Sequence, residues 1–377
     1  MMAAINMACH RGDLFDPLFD LLRQFAVLNT PRSLPLSPHV RFVELHNFFL
    51  HQILLNTHFK TYPPSRDYLL SFWKWAVTKL EELSSTEDDE IDERIYNNIT
   101  SLVSESSSRD VSVTSAPAQS YITYIWKTID TEESALGPGL QTATLLESRT
   151  LIEGGTTGLK TWTASLVLAR YLITQPEIVR GKCILELGCG VGFLGIVMAN
   201  LQLPGLLSGQ CEESKRRSAL WLTDINDTVL ERCHDNIQLP CNASSRHPHI
   251  YCRPLNWSDA LNPQDRPALT SSLLEIDADV IIGADIVYDP GIIPDLVCSL
   301  RLALKARDFG ESGQIAAYIA LTIRNEATLA QFLREAASSL NIEDIHTCSG
   351  SSQFSEADAS RYEQVKIYKM TRRIQMM

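Results

Sequence analysis

The sequence predicts an α/β protein, a doubly wound and mainly parallel sheet with one antiparallel edge strand, preceded by a small helical domain. Three observations carry this. Beyond Gly181, apolar runs of strand length alternate with helical patterns, as in a parallel sheet covered by helices on both faces. From Pro17 to about Ser106, apolar residues recur at steps of three and four, the helical period. Between the two lies "SESSSRDVSVTSAPAQS", Ser104 to Ser120, a Ser-rich stretch of linker composition. The expected division is a helical domain over 1–110, a linker over 111–120 and the α/β domain over 121–377, opened by a β-hairpin.

Each element has its own pattern. In the helical part, "PLFDLLRQFAVL", "HVRFVELHNFFLHQILL" and "DYLLSFWKWAVTKLEEL" each show one apolar face, the last through Leu69, Phe72, Ala76, Leu80 and Leu83. Its aromatics Phe72, Trp73 and Trp75 read as packing residues. The acidic run Glu87 to Arg94 reads as a solvated helix start. "YITYIWKTI" and "ATLLESRTLIE" are the two arms of the hairpin, and "TWTASLVLARYLI" a helix after it. Strands then follow at 183–187, 219–223, 249–255, 279–284 and 315–322, with helices at 192–201, 226–237, 291–306 and 326–340. "IEDIHTC" and "YEQVKIYKM" close the chain as two strands with no clear helix between them, which predicts the antiparallel edge.

Composition narrows the function. The chain has 377 residues and a net charge of −12, which argues against electrostatic grip on a nucleic acid. Nine cysteines stand singly, without a Cys-x-x-Cys pair, the usage of a reducing compartment. Cys241, His247, His249 and Cys252 fit no common zinc spacing, so no metal is expected. The N-terminus lacks the form of a signal peptide and no later window approaches 18 consecutive apolar residues. These features predict a soluble, cytoplasmic protein without a membrane partner.

The stretch "ILELGCGVGFLGIVMAN", Ile184 to Asn200, runs from a strand through a glycine turn into a helix, a form that brings ligand and backbone together. Gly188, Gly190 and Gly192 fit the turn of S-adenosylmethionine enzymes; Gly190, Gly192 and Gly195 equally fit a dinucleotide turn. Neighbours favour the first. Glu186 stands where a carboxylate would repel a pyrophosphate yet could hold a cationic amino-acid moiety. The next strand-end acid, Asp224 in "LWLTDIND", comes 32 residues beyond Gly192, against about 20 for a ribose-binding acid in a dinucleotide fold. Asp224 suits ribose binding, with helix capping as its alternative. Trp257 in "LNWSD" stands where an adenine could stack, with core packing as its alternative. In "DVIIGADIVYDP" a strand ends at Ala284, and Asp285 and Tyr288 follow in a loop that lies beside the glycine turn if the two strands are neighbours. The Asn/Asp-Pro-Pro-aromatic tetrapeptide of enzymes that methylate base nitrogens is absent here.

Together "TTGLKTW" (Thr156 to Trp162), "LELGCGVG", "LTD", "LNW", "ADIVYDP" and "ALTIRNEAT" resemble the seven-strand S-adenosylmethionine-dependent protein methyltransferases of family 16. Within that family they most resemble the eukaryotic elongation factor 2 lysine methyltransferases, over roughly residues 140–345. The resemblance implies a protein-lysine N-methyltransferase using S-adenosylmethionine, with elongation factor 2 as protein substrate. Trp162, Gly188, Cys189, Gly190, Asp224, Trp257 and Ala284 would contact the cofactor beside Glu186, while Asp285 and Tyr288 would frame the lysine channel as catalytic residues. Cys189 departs from the small or hydroxyl residue common at its position. A methyltransferase of another protein or a small molecule, and a non-catalytic cofactor-binding module, are the competing readings.

Overall fold

The computed structural model describes residues 17–86, 89–107, 119–127, 133–134, 136–207, 218–305, 315–345 and 364–373. The contacts divide the chain into two units, Met1–Ser112 and Val113–Met377. The expected linker falls almost wholly outside the described residues, as do the ends of the last two expected strands at 346–348 and 362–363.

The first unit is helical: α1 (Pro17–Ala26), α2 (Phe42–Asn47) running into a π-helical turn (Phe48–Leu54), α3 (Thr57–Thr61), α4 (Arg66–Leu83) and α5 (Glu93–Ser107). α4 buries Tyr68, Phe72, Ala76 and Leu80, a strict step of four, with Trp73 alongside. These rings meet Phe25 and Phe49, whose centroids lie 4.5 and 5.7 Å from that of Phe72. The aromatics of this unit therefore form its core. α5 starts at Glu93, after most of the acidic run, and Asp92 accepts from the Arg94 backbone N–H at 2.9 Å.

The second unit opens with an antiparallel pair, β1 (Gln119–Lys127) and β2 (Leu140–Ser148). α6 (Thr163–Thr174), β3 (Cys183–Leu187), α7 (Phe193–Leu207), β4 (Ala219–Asp224), α8 (Asp227–Ile237), β5 (Ile250–Pro254), α9 (Arg266–Ile276) and β6 (Val280–Ala284) follow. α10 (Ile293–Ala303), β7 (Ala316–Thr322), α11 (Glu326–Ala337), β8 (Leu340–Ile345) and β9 (Val365–Arg372) complete it. The seven strands from β3 onward form one sheet in the order β8-β9-β7-β6-β3-β4-β5. All pairings from β5 through β7 are parallel, while β9 runs antiparallel to both neighbours. The antiparallel edge thus consists of β8 and β9, with the reversed strand one place in. β3 is buried at all five positions, as a central parallel strand covered on both faces must be.

Two local expectations shift. The second hairpin arm stops at Ser148, and "RTLIE" becomes a loop closed by a bridge between Glu153 and Thr156. α9 was not legible as a helix, because Thr270, Ser271 and Ser272 interrupt its face; Leu269, Leu273 and Ile276 nonetheless bury.

The strand order reverses between β3 and β6, with β4 and β5 on one side and β7 on the other. In open α/β sheets such a switch point opens a crevice at the carboxyl ends of the strands. Gly188 to Gly192 follow β3 and Asp285 follows β6, so both loops rim that crevice.

Candidate cofactor and lysine site

The glycine turn forms because three of its residues have left-handed backbones, at φ 67° for Gly188, 52° for Gly190 and 90° for Gly192. Its neighbours also leave no room for side chains. A Cβ on Gly188 would lie 2.9 Å from Ile286 Cγ2, and one on Gly190 would lie 3.1 Å from the Gly158 carbonyl oxygen. The turn is thereby seated on the loop after β6 and against the Thr156–Gly158 loop. Cys189 N–H donates to the Thr223 carbonyl at 2.9 Å, tying the turn to β4.

A cavity of about 580 Å³ opens over this turn, a size suited to a nucleotide-like ligand. Among its lining residues are Trp162, Glu186, Gly188, Cys189, Gly190, Asp224, Trp257, Ala284, Asp285 and Tyr288. All ten residues expected from the sequence therefore meet at one cavity. Asp224 accepts the Gly190 N–H at 3.4 Å and the Asn226 N–H at 3.1 Å. The cap of α8 is Asn226, which accepts from Val229 N–H, so capping is not the task of Asp224. Burial raises the Asp224 carboxyl, against the pull of its backbone hydrogen bonds. Trp257 is partly buried, and a Cβ on Gly188 would reach its ring at 3.8 Å.

Glu186 is 2% exposed, its Oε2 has no hydrogen-bond partner, and burial pushes its carboxyl well above the usual range. A buried carboxylate oxygen left unpaired beside a cavity is an unsatisfied acceptor that a cationic ligand group would satisfy. A hydrogen bond with Cys233 pulls the Cys189 thiol down, but burial and the Glu186 and Asp224 carboxylates win and raise it to about 11. At neutral pH this thiol is protonated and unreactive. In the Cys241, His247, His249 and Cys252 group, both His247 ring nitrogens are engaged within the chain: Nε2 bonds Gln202 Oε1 at 3.0 Å and Nδ1 accepts the His249 N–H. No group of three or more metal-ligating side chains is assembled among the described residues.

The sequence reading missed the residues that hold this frame. Glu147, 1% exposed on β2, accepts from Thr161 Oγ1 at 2.6 Å, from Thr161 N–H at 3.1 Å and from Tyr124 Oη at 3.4 Å. It thereby fixes the residue next to Trp162. Asn236 and Asn242 stitch β2 to α8: Leu146 N–H donates to Asn236 Oδ1 at 2.8 Å and Thr144 N–H to Asn242 Oδ1 at 2.9 Å. Asn236 also donates to the Val191 carbonyl in the glycine turn at 3.0 Å. A Glu inside an apolar strand was the one visible sign of this network.

Asp285 is the most constrained residue of the site. Its φ is 54°, and its N–H donates to the Ala320 carbonyl at 2.9 Å. Oδ1 accepts from Thr322 N–H at 2.9 Å, while Oδ2 accepts from Thr322 Oγ1 at 3.0 Å and from Arg324 Nη2 at 2.9 Å. The same guanidinium lies 4.8 Å over the Trp162 ring, whose indole N–H donates to the Thr157 carbonyl at 3.1 Å. Tyr288 is 63% exposed, and desolvation with the Asp224 and Asp289 carboxylates raises its phenol. It presents a neutral ring and hydroxyl at neutral pH.

Seven strands in this order, a glycine turn at the switch point and acids at successive strand ends define a nucleoside-cofactor site of the seven-strand methyltransferase class. A family model described as lysine methyltransferase matches residues 147–337, just over half of the chain. The chain belongs to this family and is a protein-lysine methyltransferase whose cofactor is S-adenosylmethionine. It is 27% identical to human protein-lysine N-methyltransferase EEF2KMT, over 83% of this chain and 84% of that one. It is 30% identical to protein-lysine N-methyltransferase EFM3 of Chaetomium thermophilum, over 72% of each chain. Among solved structures, magnesium protoporphyrin IX methyltransferase from Synechocystis PCC 6803 with bound SAM is similar at 12% identity, with a TM-score of 0.32, over 56% of this chain and 79% of that one.

Proposed function

We propose that this chain methylates a lysine of elongation factor 2 in the cytoplasm. The observation that carries this is the similarity to a relative named EEF2KMT along more than four-fifths of both chains, supported by the "ALTIRNEAT" and "TTGLKTW" segments. The helical unit, set apart in the contacts and lacking every cofactor motif, is the proposed substrate-recognition part.

When bound, the cofactor supplies a methyl group on a cationic sulfur, which the lone pair of a neutral lysine amine takes as the carbon–sulfur pair returns to sulfur. In our reading Asp224 holds the ribose, Trp257 stacks on the adenine, and Glu186 faces the cationic amino-acid end. The glycine turn offers backbone at close range, with Trp162 and Ala284 closing the cavity. Asp285 and Tyr288 orient the incoming amine, the first through a free lone pair of its carboxylate, the second as wall and hydroxyl. A free lysine has a pKa near 10.4, so a neutral amine at pH 7 costs roughly 4.6 kcal/mol. Desolvation in the cavity reduces that cost, and alignment of the reacting atoms contributes about 7–11 kcal/mol.

The test is methyl transfer by the full chain from labelled cofactor to unmethylated elongation factor 2, with mass spectrometry of the product. One modified lysine is expected, with its labelling lowered by Asp224→Ala at sub-saturating cofactor. Labelling of other proteins with none on elongation factor 2 would transfer the activity to a different substrate. Cofactor binding without any transfer would support a non-catalytic module.

A further inference from the structure

We propose that Arg324 is a positioning residue for the acceptor lysine. By neutralising Asp285 and lying on Trp162, its guanidinium gives the amine an oriented acceptor that carries no net negative charge, which favours the unprotonated, reactive form. The inference rests on the reading that Asp285 frames the lysine.

A bare carboxylate at this point would serve binding and hinder chemistry. An opposite charge within about 4–6 Å of an ammonium stabilises the charged form and raises its pKa, whereas transfer needs the lone pair free. Asp285, its side chain 5% exposed, would exert that effect strongly if it stood alone. It does not stand alone: Arg324 Nη2 is 2.9 Å from Oδ2. Two further hydrogen bonds, both from Thr322, leave about one of the four carboxylate lone-pair positions for a ligand. The acceptor is kept while its charge is cancelled.

Arg324 is held on both sides. Its guanidinium lies 4.8 Å from the Trp162 centroid, and the indole is pinned by its bond to Thr157. A planar guanidinium can stack on a ring and bond a carboxylate at once, which an ammonium does less well. The side chain is 48% exposed, so part of its charge also faces solvent. The other charged or titratable groups around the cavity are Lys160 before α6, Glu186 on β3, the Cys189 thiol in the glycine turn, Asp224 on β4, Tyr288 and Asp289 after β6, and Asp295 on α10. All remain when Arg324 is replaced, so a change in pH dependence reports the guanidinium.

The experiment compares full-length wild type, Arg324→Met and Arg324→Lys at saturating S-adenosylmethionine, with elongation factor 2 as substrate, from pH 6 to 10. In Arg324→Met, kcat at pH 7 should fall about tenfold and recover toward wild type at alkaline pH, its midpoint rising by about 1 pH unit. KM for the protein substrate should not rise, and Arg324→Lys should keep the wild-type midpoint. A Met variant with the wild-type midpoint overturns the proposal, even if slower, because a merely structural loss lowers the rate at every pH. If wild type leaves elongation factor 2 unmodified, the substrate reading fails by itself. The guanidinium is then tested by n-butylammonium binding to the full chain loaded with S-adenosylhomocysteine at pH 7. Affinity about tenfold higher in Arg324→Met supports the proposal, and equal affinity overturns it.

Discussion

Asp285→Ala tests whether this residue anchors the site or acts on the substrate, because the structure assigns a magnitude to the first role. The substitution removes the acceptor for the Thr322 N–H; leaving such a donor unpaired costs about 1–3 kcal/mol. It breaks the pair with Arg324, which contributes about 0–1 kcal/mol because the guanidinium is half in solvent. Alanine must also adopt φ 54°, where aspartate is better tolerated, at a cost of about 1 kcal/mol. The sum is about 2–5 kcal/mol, or a urea midpoint lower by about 1–2 M at ordinary denaturant slopes. Asp285→Asn keeps an acceptor for Thr322 N–H and a residue at home in the left-handed region, so it should lose less than half as much. The assay is urea unfolding of both variants, S-adenosylhomocysteine calorimetry, and single-turnover methyl transfer under conditions where each is folded. Expected are a large stability loss in Ala, a small one in Asn, cofactor affinity within about threefold of wild type in Asn, and turnover reduced at least tenfold in both. An Ala variant with the wild-type midpoint would refute the anchoring role. Normal turnover in a folded Asn variant would remove the carboxylate from catalysis.

The other predictions use the same frame. Gly188→Ala sets a Cβ 2.9 Å from Ile286 Cγ2 at φ 67°, so it should destabilise by about 2–4 kcal/mol and abolish cofactor binding. Adding Ile286→Ala should return part of that loss in a double-mutant cycle; strict additivity would show that the clash is not the cause. Asp224→Ala should weaken cofactor affinity by about 1–3 kcal/mol in calorimetry, and an unchanged value would leave Asp224 a support of the turn. The Glu186 carboxyl is raised by burial, so its favourable contribution to cofactor-free stability is complete below the unfolded value near 4.3 and is lost as pH rises through the folded value. Glu186→Gln should accordingly melt above wild type at pH 8 without cofactor yet bind cofactor more weakly; an unchanged pH dependence of melting would contradict a buried, unpaired carboxyl.

The parts of this molecule that the sequence made legible are those where one local segment states its own geometry. "LELGCGVG" shows a strand, a left-handed turn and a helix within a few residues, because only glycine takes φ values of 67°, 52° and 90° in quick succession without strain. Asp224 and Asp285 could be placed because each ends an apolar strand, and the alternation of elements fixes which end of the sheet that is. What was hidden depends on register between distant segments. Arg324 follows β7, and its encounter with Asp285 requires β6 and β7 to pair with Ala284 opposite Ala320; a one-residue slip would send the guanidinium to the other face. Glu147 reads as an oddity in an apolar strand until the Asn236 and Asn242 side chains fix β2 on α8.

That difference bears on the order in which the site forms. The turn can adopt its backbone locally, but Trp162 reaches the cavity only after β2, α8 and Glu147 are assembled, and Asp285 is satisfied only after β7 joins β6. Cofactor contacts from the turn and from Asp224 thus draw on the central strands and on the single Asn236 bond from α8, whereas the Asp285–Arg324 pair lying on the Trp162 ring draws on both flanks of the sheet. Perturbing either flank should impair the placement of the amine before it impairs cofactor affinity. Asn242→Ala, outside the cavity lining, separates the two: it removes the bond from Thr144 N–H at 2.9 Å and the bonds to the Thr144 and Asn236 carbonyls, both at 2.8 Å. In our reading it should lower turnover several-fold more than cofactor binding, measured by single-turnover transfer and calorimetry on the same folded sample. Equal losses in both would mean that the hairpin supports the whole cavity and not the lysine side of it.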